Sequence, residues 1–284
     1  MLYTLFPKFL QSYDVNRLAT VAGESGFDAV DLVVREGYWV TPERFAEEAP
    51  AFVRAMQRSN LKVEFATTGF SPEMLAQDDT PLKVMSDAGI RSFRMSYFAY
   101  DEQEHLFAQM DKARALMHQM AELCSKYKLK AVYQIHHGDR MLIHHSYAAL
   151  SLVEGLPSEY VGIMPDPGNQ FHEGNDNWRR AVMTLGSYLA GMGIKDAKYV
   201  YNPEGRTAPG KGWGKQWTPC QDGVTNWHAI AKALHEAKFQ GVLNFQPFYH
   251  SSSLDLLIPA LQEEVAYIRN LMSEAGRLAG HEAV

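Results

Sequence analysis

Polar side chains follow a short apolar, β-branched run eight times along this chain, and two of them are glutamines, Gln134 and Gln246. An amide donates and accepts hydrogen bonds but has no proton to transfer near neutral pH. Acid–base chemistry beside these amides therefore has to come from other residues at the same set of run ends. The other ends are Thr4, Asp31, Thr67, Arg94, His136 with His137, Asp166, and Lys195 with Asp196.

Three residues at these ends could carry proton transfer, and we predict them as catalytic: His136, Asp166 and Lys195. His136 lies two positions after Gln134, so the two side chains share one side of a strand, and an imidazole can act as acid or base without a metal. Burial would raise the pKa of the Asp166 carboxyl into the range of a base. Lys195 could stabilise an oxyanion. The alternatives are a packing histidine, a helix cap at Asp166, and an ion pair of Lys195 with Asp196 or Asp166.

A second group of residues is predicted to contact the substrate. Arg94 could bind an anionic group, or it could instead pair with Asp31 or Glu64. His137 should point away from the site if its strand continues that far, which favours a structural role. The full predicted substrate-binding set is Gln134, Arg94, Asn169, His172, Trp213 and Gln246.

These residues are positioned by an alternation of strands and helices. Each apolar run is followed by a helical stretch, of which 102–127 is the clearest, and Thr41 followed by Pro42 is predicted as a helix N-cap. Eight such units indicate an α/β fold, a single (β/α)₈ TIM barrel, in which the carboxyl ends of the strands converge on one face. The predicted strands are Leu2–Phe6, Ala29–Val34, Leu61–Thr67, Ile90–Ser96, Lys130–Ile135, Val161–Met164, Leu189–Ile194 and Gly241–Phe245.

We predict one domain over residues 1–284, with a long lid-like loop at about 197–223. The loop is rich in Gly, Pro and Trp, and loops of this length in a compact domain are usually functional. Trp213 and Trp217 favour an ordered loop, because the composition is unlike that of disordered segments. Their rings could provide apolar platforms for a bound small molecule, with lid packing as the alternative.

Composition excludes several classes of partner. A net charge of −6 and the lack of a basic run argue against nucleic acid. No apolar run approaches the length that crosses a membrane, and the first residues lack the features of a secretory signal. Cys124 and Cys220 are far apart, which suits free thiols in a reducing compartment. We therefore expect a cytoplasmic protein that acts on a small molecule.

Several segments resemble the xylose isomerase-like TIM barrels, the sugar phosphate isomerase/epimerase superfamily that also includes endonuclease IV. The resemblance implies a divalent cation held by Glu after strand 5, Asp after strand 6, His on strand 7 and Glu after strand 8. It also implies that the two glutamates exchange the substrate proton while the metal polarises the substrate oxygens. Barrels of this family often pair, which implies a homodimer. The resembling segments are 26–32, 134–138, 166–169, 194–196, 222–227 and 239–242.

Carried over position by position, the resemblance implies a divergent member that keeps one of these four residues. Asp166 matches the aspartate, whereas Gln134, Gly193 and Gln246 stand where the glutamates and the histidine would be. The charge of the ligand set falls from about −3 to about −1, which weakens its hold on a hard cation. We therefore expect tight metal binding to be absent. A cation such as Mn²⁺ or Mg²⁺, if bound, would be held weakly by Gln134, Asp166 and Gln246.

The resemblance favours an isomerase/epimerase-like enzyme that acts on a sugar or sugar phosphate in carbohydrate metabolism. The loss of both glutamates supports an alternative, a degenerate barrel that binds a carbohydrate or a partner protein without turning it over. An endonuclease-like function is excluded, because a three-zinc site needs more His and acidic ligands than these strand ends supply.

Overall fold

The computed structural model of the chain describes residues 1–205 and 211–282 and confirms the predicted barrel. Eight strand positions follow one another around the barrel. The second position is split at Asp31 into two short strands. The described strands are β1 (Leu2–Leu5), β2 (Ala29–Val30), β3 (Leu32–Val33), β4 (Phe65–Thr67), β5 (Ser92–Arg94), β6 (Lys130–Gln134), β7 (Val161–Met164), β8 (Gly191–Ile194), β9 (Asp196–Tyr201), β10 (Trp213–Thr218) and β11 (Val242–Phe245).

Two parallel sheets close on each other to form the barrel. One has the order β2-β1-β11-β8 and the other the order β3-β4-β5-β6-β7. They join on one side where β2 continues into β3. On the other side Ala190 N donates to Ile163 O at 2.9 Å and Gly193 N donates to Pro165 O at 2.8 Å. The carboxyl ends of the eight positions therefore open on one face, as the barrel fold requires.

The helices surround the barrel and turn apolar stripes towards it. In α5, for example, Ala113, Met117, Met120 and Cys124 are buried on one face, as the helical spacing of its apolar residues predicts. None of the described helices is long and apolar enough to cross a bilayer. The helices are α1 (Val15–Glu24), α2 (Phe45–Arg58), α3 (Pro72–Gln77), α4 (Thr80–Ala88), α5 (Leu106–Tyr127), α6 (Ser146–Val153), α7 (Pro167–His172), α8 (Trp178–Leu185), α9 (Trp227–Glu236) and α10 (Leu254–Glu282).

The predicted N-cap at Thr41 is wrong, because α2 begins only at Phe45. Thr41 donates from its backbone N and from Oγ1 to Glu48 Oε2, at 2.8 and 3.0 Å. Glu48 lies in the first turn of α2 and reaches back to the loop before it. This long side chain holds Thr41 in the preceding turn, so the local cap pattern does not start the helix there.

The segment predicted as a lid-like loop contains an antiparallel hairpin. β9 and β10 pair from Asp196 with Thr218 at the base to Tyr201 with Trp213 further out. Most of these residues are partly or fully exposed, so the hairpin lacks the apolar alternation that would predict strands. The remaining residues of the predicted loop at 206–210 lie outside the described residues. The base of the hairpin starts directly after Lys195, at the open face of the barrel.

A buried carboxyl group fastens α10 to the residues that follow the hairpin. Glu264 is fully buried, accepts a hydrogen bond from Cys220 N at 2.8 Å and accepts another from Tyr249 Oη at 2.8 Å. Burial raises the pKa of Glu264 from its ordinary 4.5 to about 7. Between these two pH values the folded chain binds a proton that the unfolded chain has released, so this group lowers stability as pH rises.

Glu264→Gln is expected to flatten that part of the pH dependence. Relative to the wild type, the variant should gain about 3 kcal/mol in free energy of unfolding between pH 4.5 and pH 8, since each pKa unit corresponds to about 1.4 kcal/mol. Urea unfolding at several pH values measures this difference. The matched control is Glu263→Gln, a change at the exposed residue next to Glu264. Parallel pH profiles for wild type and Glu264→Gln would contradict the prediction.

Candidate active site

A buried ion pair lies at the centre of the carboxyl face. Lys195 follows β8, Asp166 follows β7, and Lys195 Nζ lies 3.0 Å from Asp166 Oδ2. The exposed fractions of the two side chains are 3% and 0%, so water does not separate the charges. Of the alternatives for Lys195, the structure selects the pair with Asp166 rather than with Asp196. Asp166 also caps α7, because its Oδ1 accepts from Asn169 N at 2.9 Å.

The Lys195 ammonium has an oxygen partner for each of its three N–H groups. Besides Asp166, it donates to Asn169 Oδ1 at 2.8 Å and to Gln246 Oε1 at 3.2 Å. The rings of Trp217 and Phe248 lie over it, with centroids 5.1 and 4.6 Å from Nζ. Burial lowers the pKa of Lys195, and the Asp166 carboxylate opposes that shift.

Gln134 belongs to a chain of side chains that orients Asp166 from the other side. Gln134 Nε2 donates to Asp166 Oδ2 at 2.7 Å, and Tyr97 Oη donates to Gln134 Oε1 at 3.5 Å. Arg94 donates to Tyr97 Oη at 2.8 Å and to Thr68 O at 2.7 Å. Both oxygens of Asp166 are thus held by protein donors.

The two roles proposed for Arg94 from sequence are resolved only in part. Within the described residues Arg94 forms no ion pair with Asp31, and Glu64 pairs instead with Lys62 at 3.5 Å. Its Nε is buried and has no hydrogen-bond partner among these residues. A contact between Arg94 and an anionic group therefore stays a prediction.

His136 is a neutral imidazole with one unshared ring nitrogen. Its Nδ1 lies 3.1 Å from His137 O, and because a carbonyl oxygen only accepts, Nδ1 carries the hydrogen. The lone pair is consequently on Nε2. Burial lowers the pKa of His136 to about 4, and the positive charge of Lys195 acts in the same direction. The side chain is only half-buried, so it can be reached from the open face.

His137 lies inside the site, contrary to the expectation that it points away. Its Nδ1 is 2.9 Å from Asn169 Oδ1, and its ring stacks on those of His136 and His172 at centroid distances of 4.9 and 4.6 Å. The strand β6 ends at Gln134, so the alternation of sides no longer applies three residues later. His137 therefore helps to hold Asn169 against Lys195.

His172 contributes to the same aromatic wall. It is the last residue of α7, and its ring lies 4.7 Å from that of Trp217. Burial lowers its pKa to about 4. Its Nε2 is buried and has no hydrogen-bond partner within the part of the chain that is described.

The hairpin presents Trp217 to the site rather than Trp213. Trp213 pairs with Tyr201 at the far end of the hairpin and is 59% exposed. Trp217 lies near the base, beside Ala197, where its ring reaches Lys195 and His137. Distance along the hairpin separates the two tryptophans, and sequence composition does not reveal that distance.

Two contributors that the sequence analysis did not single out are Tyr97 and Phe248. Phe248 lies two residues after Gln246 and Tyr97 lies three after Arg94, both just past the ends of strands. Their position after a strand end was the available signal. Apolar and phenolic rings at such positions are common in cores, so the signal alone does not distinguish a site residue.

The side chains at these strand ends do not fit a divalent cation. Lys195 already places a positive charge 3.0 Å from the Asp166 carboxylate, and the Gln134 amide turns its N–H towards that carboxylate. A Cβ at Gly193 would lie 2.9 Å from Asp166 Oδ2, so a histidine cannot stand there unless Asp166 moves. Within the described ranges no group of three or more His, Cys, Asp or Glu residues could hold a metal ion.

The fold and this polar face define a (β/α)₈ barrel with its site at the carboxyl ends of the strands. The chain belongs to the xylose isomerase-like TIM barrel family, whose sequence model matches residues 19–271. This result confirms the resemblance seen in the sequence. A comparison with curated proteins finds no match.

Solved structures that share the fold include two sugar epimerases. The D-psicose 3-epimerase of Clostridium cellulolyticum H10 has a TM-score of 0.72 and 14% identity, over 96% of this chain and 99% of that chain. An L-ribulose 3-epimerase has a TM-score of 0.74 and 14% identity, over 100% and 98%. The IOLI protein, solved with a bound zinc atom, has a TM-score of 0.74 and 12% identity, over 97% and 99%. Identities this low establish the fold and not the activity.

Proposed function

We propose that this protein is an enzyme that isomerises or epimerises a small carbohydrate-like substrate by proton transfer. The observation that carries the proposal is the neutral His136 imidazole, whose unshared Nε2 is placed at the same open face as the Lys195 cation. A general base needs a lone pair at working pH and a position within reach of the substrate. The epimerases that share the fold support the reaction class.

The proposed reaction begins at a carbon next to a carbonyl. His136 Nε2 takes the proton from that carbon, and the electron pair of the broken C–H bond moves to the carbonyl oxygen to give an enediolate. The imidazolium then returns the proton. If the intermediate turns over in the site, return of the proton to the opposite face of the same carbon inverts it. Return to the former carbonyl carbon, with transfer of the remaining hydroxyl proton to the former carbonyl oxygen, isomerises the sugar.

Lys195 stabilises the enediolate in this scheme. Its charge is desolvated at a position 3% exposed, and fixed charges in such surroundings act strongly on charge that develops nearby. Asp166 is assigned a positioning role, because its oxygens are fully engaged with Lys195, Gln134 and the start of α7. This differs from the base that the sequence analysis considered at Asp166.

The walls of the site suit a polyhydroxylated molecule. Trp217, Phe248 and His172 offer ring faces for CH groups, while the half-buried His136 offers a polar contact. Lys8 Nζ lies 4.4 Å from the Phe248 ring and makes no ion pair with a described residue. A substrate with a carboxylate or phosphate would find a partner there, so the substrate panel has to include charged sugars.

Incorporation of solvent deuterium tests the proposal directly. Wild-type protein is incubated in D₂O with neutral ketoses and aldoses, sugar acids and sugar phosphates, and deuterium at carbon is read by NMR or mass spectrometry. Exchange into at least one compound, well above a protein-free control, is expected. A panel without exchange, combined with measurable binding of a panel member, would overturn the enzymatic proposal.

That second result would favour the non-catalytic alternative, a barrel that binds a carbohydrate or a partner without turnover. The observation in its favour is that Lys195 and Asp166 are saturated by protein partners, so neither has a free donor or acceptor for a substrate. Isothermal titration with the same panel separates the two functions, because a binder gives heat of binding without exchange.

A further inference from the structure

Lys195 Nζ occupies a pocket of strand-end oxygens. Its three partners come from two places in the fold: Asp166 and Asn169 lie at the start of α7, and Gln246 follows β11. The distances are 3.0, 2.8 and 3.2 Å. A lysine on a surface would not gather a carboxylate and two amide oxygens in this way, because it would be hydrated.

Two glycines make room for this lysine. A Cβ at Gly168 would lie 2.7 Å from Lys195 Cγ and 3.0 Å from Lys195 O. A Cβ at Gly193 would lie 2.9 Å from Asp166 Oδ2. Contacts this short displace backbone or side chain, so any larger residue at either position would disturb the pair.

The charge of the pocket matches a monovalent cation. One carboxylate and two neutral amide oxygens carry a single negative charge, which one ammonium neutralises. A divalent ion in the same place would leave an uncompensated charge away from water, and such a charge is costly. Gln246 supplies a neutral amide oxygen to the pocket and Gln134 turns its N–H towards Asp166, so neither glutamine adds the negative charge that a divalent ion would need.

We propose that the ε-ammonium of Lys195 is the resident cation of this barrel, standing among the oxygens of Asp166, Asn169 and Gln246 in the place of a metal ion. The site therefore has its positive charge built into the chain. The inference concerns the occupant of the pocket and holds whichever of the two functions above is correct.

A set of variants tests whether the ammonium keeps metal out. Gln134→Glu with Gln246→Glu adds two carboxylates while Lys195 stays. The triple variant adds Lys195→Ala to these two changes, so the two proteins differ only by the lysine side chain. Binding of Mn²⁺ is measured by the loss of the free-ion EPR signal and by the shift in Tm.

The triple variant is expected to bind one Mn²⁺ about 100-fold more tightly than the double variant, and its Tm should rise with Mn²⁺. Wild type should bind it no better than the double variant. The proposal is overturned if wild type itself binds one Mn²⁺ tightly, or if the double and triple variants bind it equally well. Both of these outcomes would mean that the lysine does not occupy the cation position.

Chemical rescue provides a second measurement that does not depend on added carboxylates. In Lys195→Ala the pocket keeps its oxygens but loses the cation. Methylammonium chloride should raise the Tm of this variant more than that of wild type, whereas choline chloride, too large for the pocket, should not. Equal effects of the two salts on the variant would contradict the proposal, and so would equal effects of methylammonium on variant and wild type.

Discussion

Replacing His136 by asparagine is expected to lower the rate of solvent-hydrogen exchange by about 100- to 10,000-fold, the usual contribution of a general base. Asparagine keeps a polar group of similar size but has no basic nitrogen. The loss should appear in kcat more than in KM, since the imidazole acts on the reacting proton. The measurement is the initial rate of deuterium incorporation into the substrate that wild type exchanges.

The control for this variant is His118→Asn. His118 lies on the exposed face of α5, far from the strand ends, so exchange should stay at the wild-type rate. The wild-type pH profile provides an independent check. Burial lowers the pKa of His136 to about 4, so the base is neutral at pH 7 and the rate should fall only as pH drops through about 4. Full exchange by His136→Asn would show that another group takes the proton.

Asp196→Ala is expected to lower the free energy of unfolding by about 3 to 5 kcal/mol, because it leaves several buried donors without an acceptor. Asp196 Oδ1 accepts from Ala197 N at 2.7 Å and from Thr225 Oγ1 at 2.9 Å. Asp196 Oδ2 accepts from Thr225 N at 3.1 Å and from Trp227 Nε1 at 2.9 Å. The carboxylate thus joins the base of the hairpin to the start of α9.

Urea unfolding measures this loss, with Asp222→Ala as the control. Asp222 is exposed and close to Asp196 in the fold, so its removal should change stability by less than about 0.5 kcal/mol, as is usual for surface positions. A loss below about 1 kcal/mol for Asp196→Ala would mean that water replaces the carboxylate at these four donors.

The barrel was predictable because its signal is local and repeated. Strand β7 lies where the sequence placed it, and other barrel strands differ from expectation mainly at their ends. Apolar runs followed by helical spacing recur often enough that an error in one unit does not change the fold. The N-cap predicted at Thr41 is one such error. Thr41 hydrogen-bonds to Glu48, which lies within the helix that Thr41 was expected to cap.

The candidate site was predictable as a set of residues but not as a set of contacts. Gln134, Asp166, Lys195 and Gln246 do lie together, since each follows a parallel strand of one barrel. Alternation along a strand also explains why neighbouring Lys195 and Asp196 have different partners, one in the site and one at α9. Alternation does not predict which side chain on another strand each of these residues will contact.

The order of residues alone determined the barrel, the face that carries the polar side chains, and the presence of two amides, Gln134 and Gln246, on that face. Only the tertiary structure decided that Lys195 pairs with Asp166, that His137 turns inward, and that Trp217 rather than Trp213 covers the lysine. The physical reason is how far apart in the sequence the interacting residues are. Periodicity and strand ends are set by neighbours in the chain, whereas these contacts depend on the register of β7, β8 and β11 and on how far the hairpin extends over the barrel.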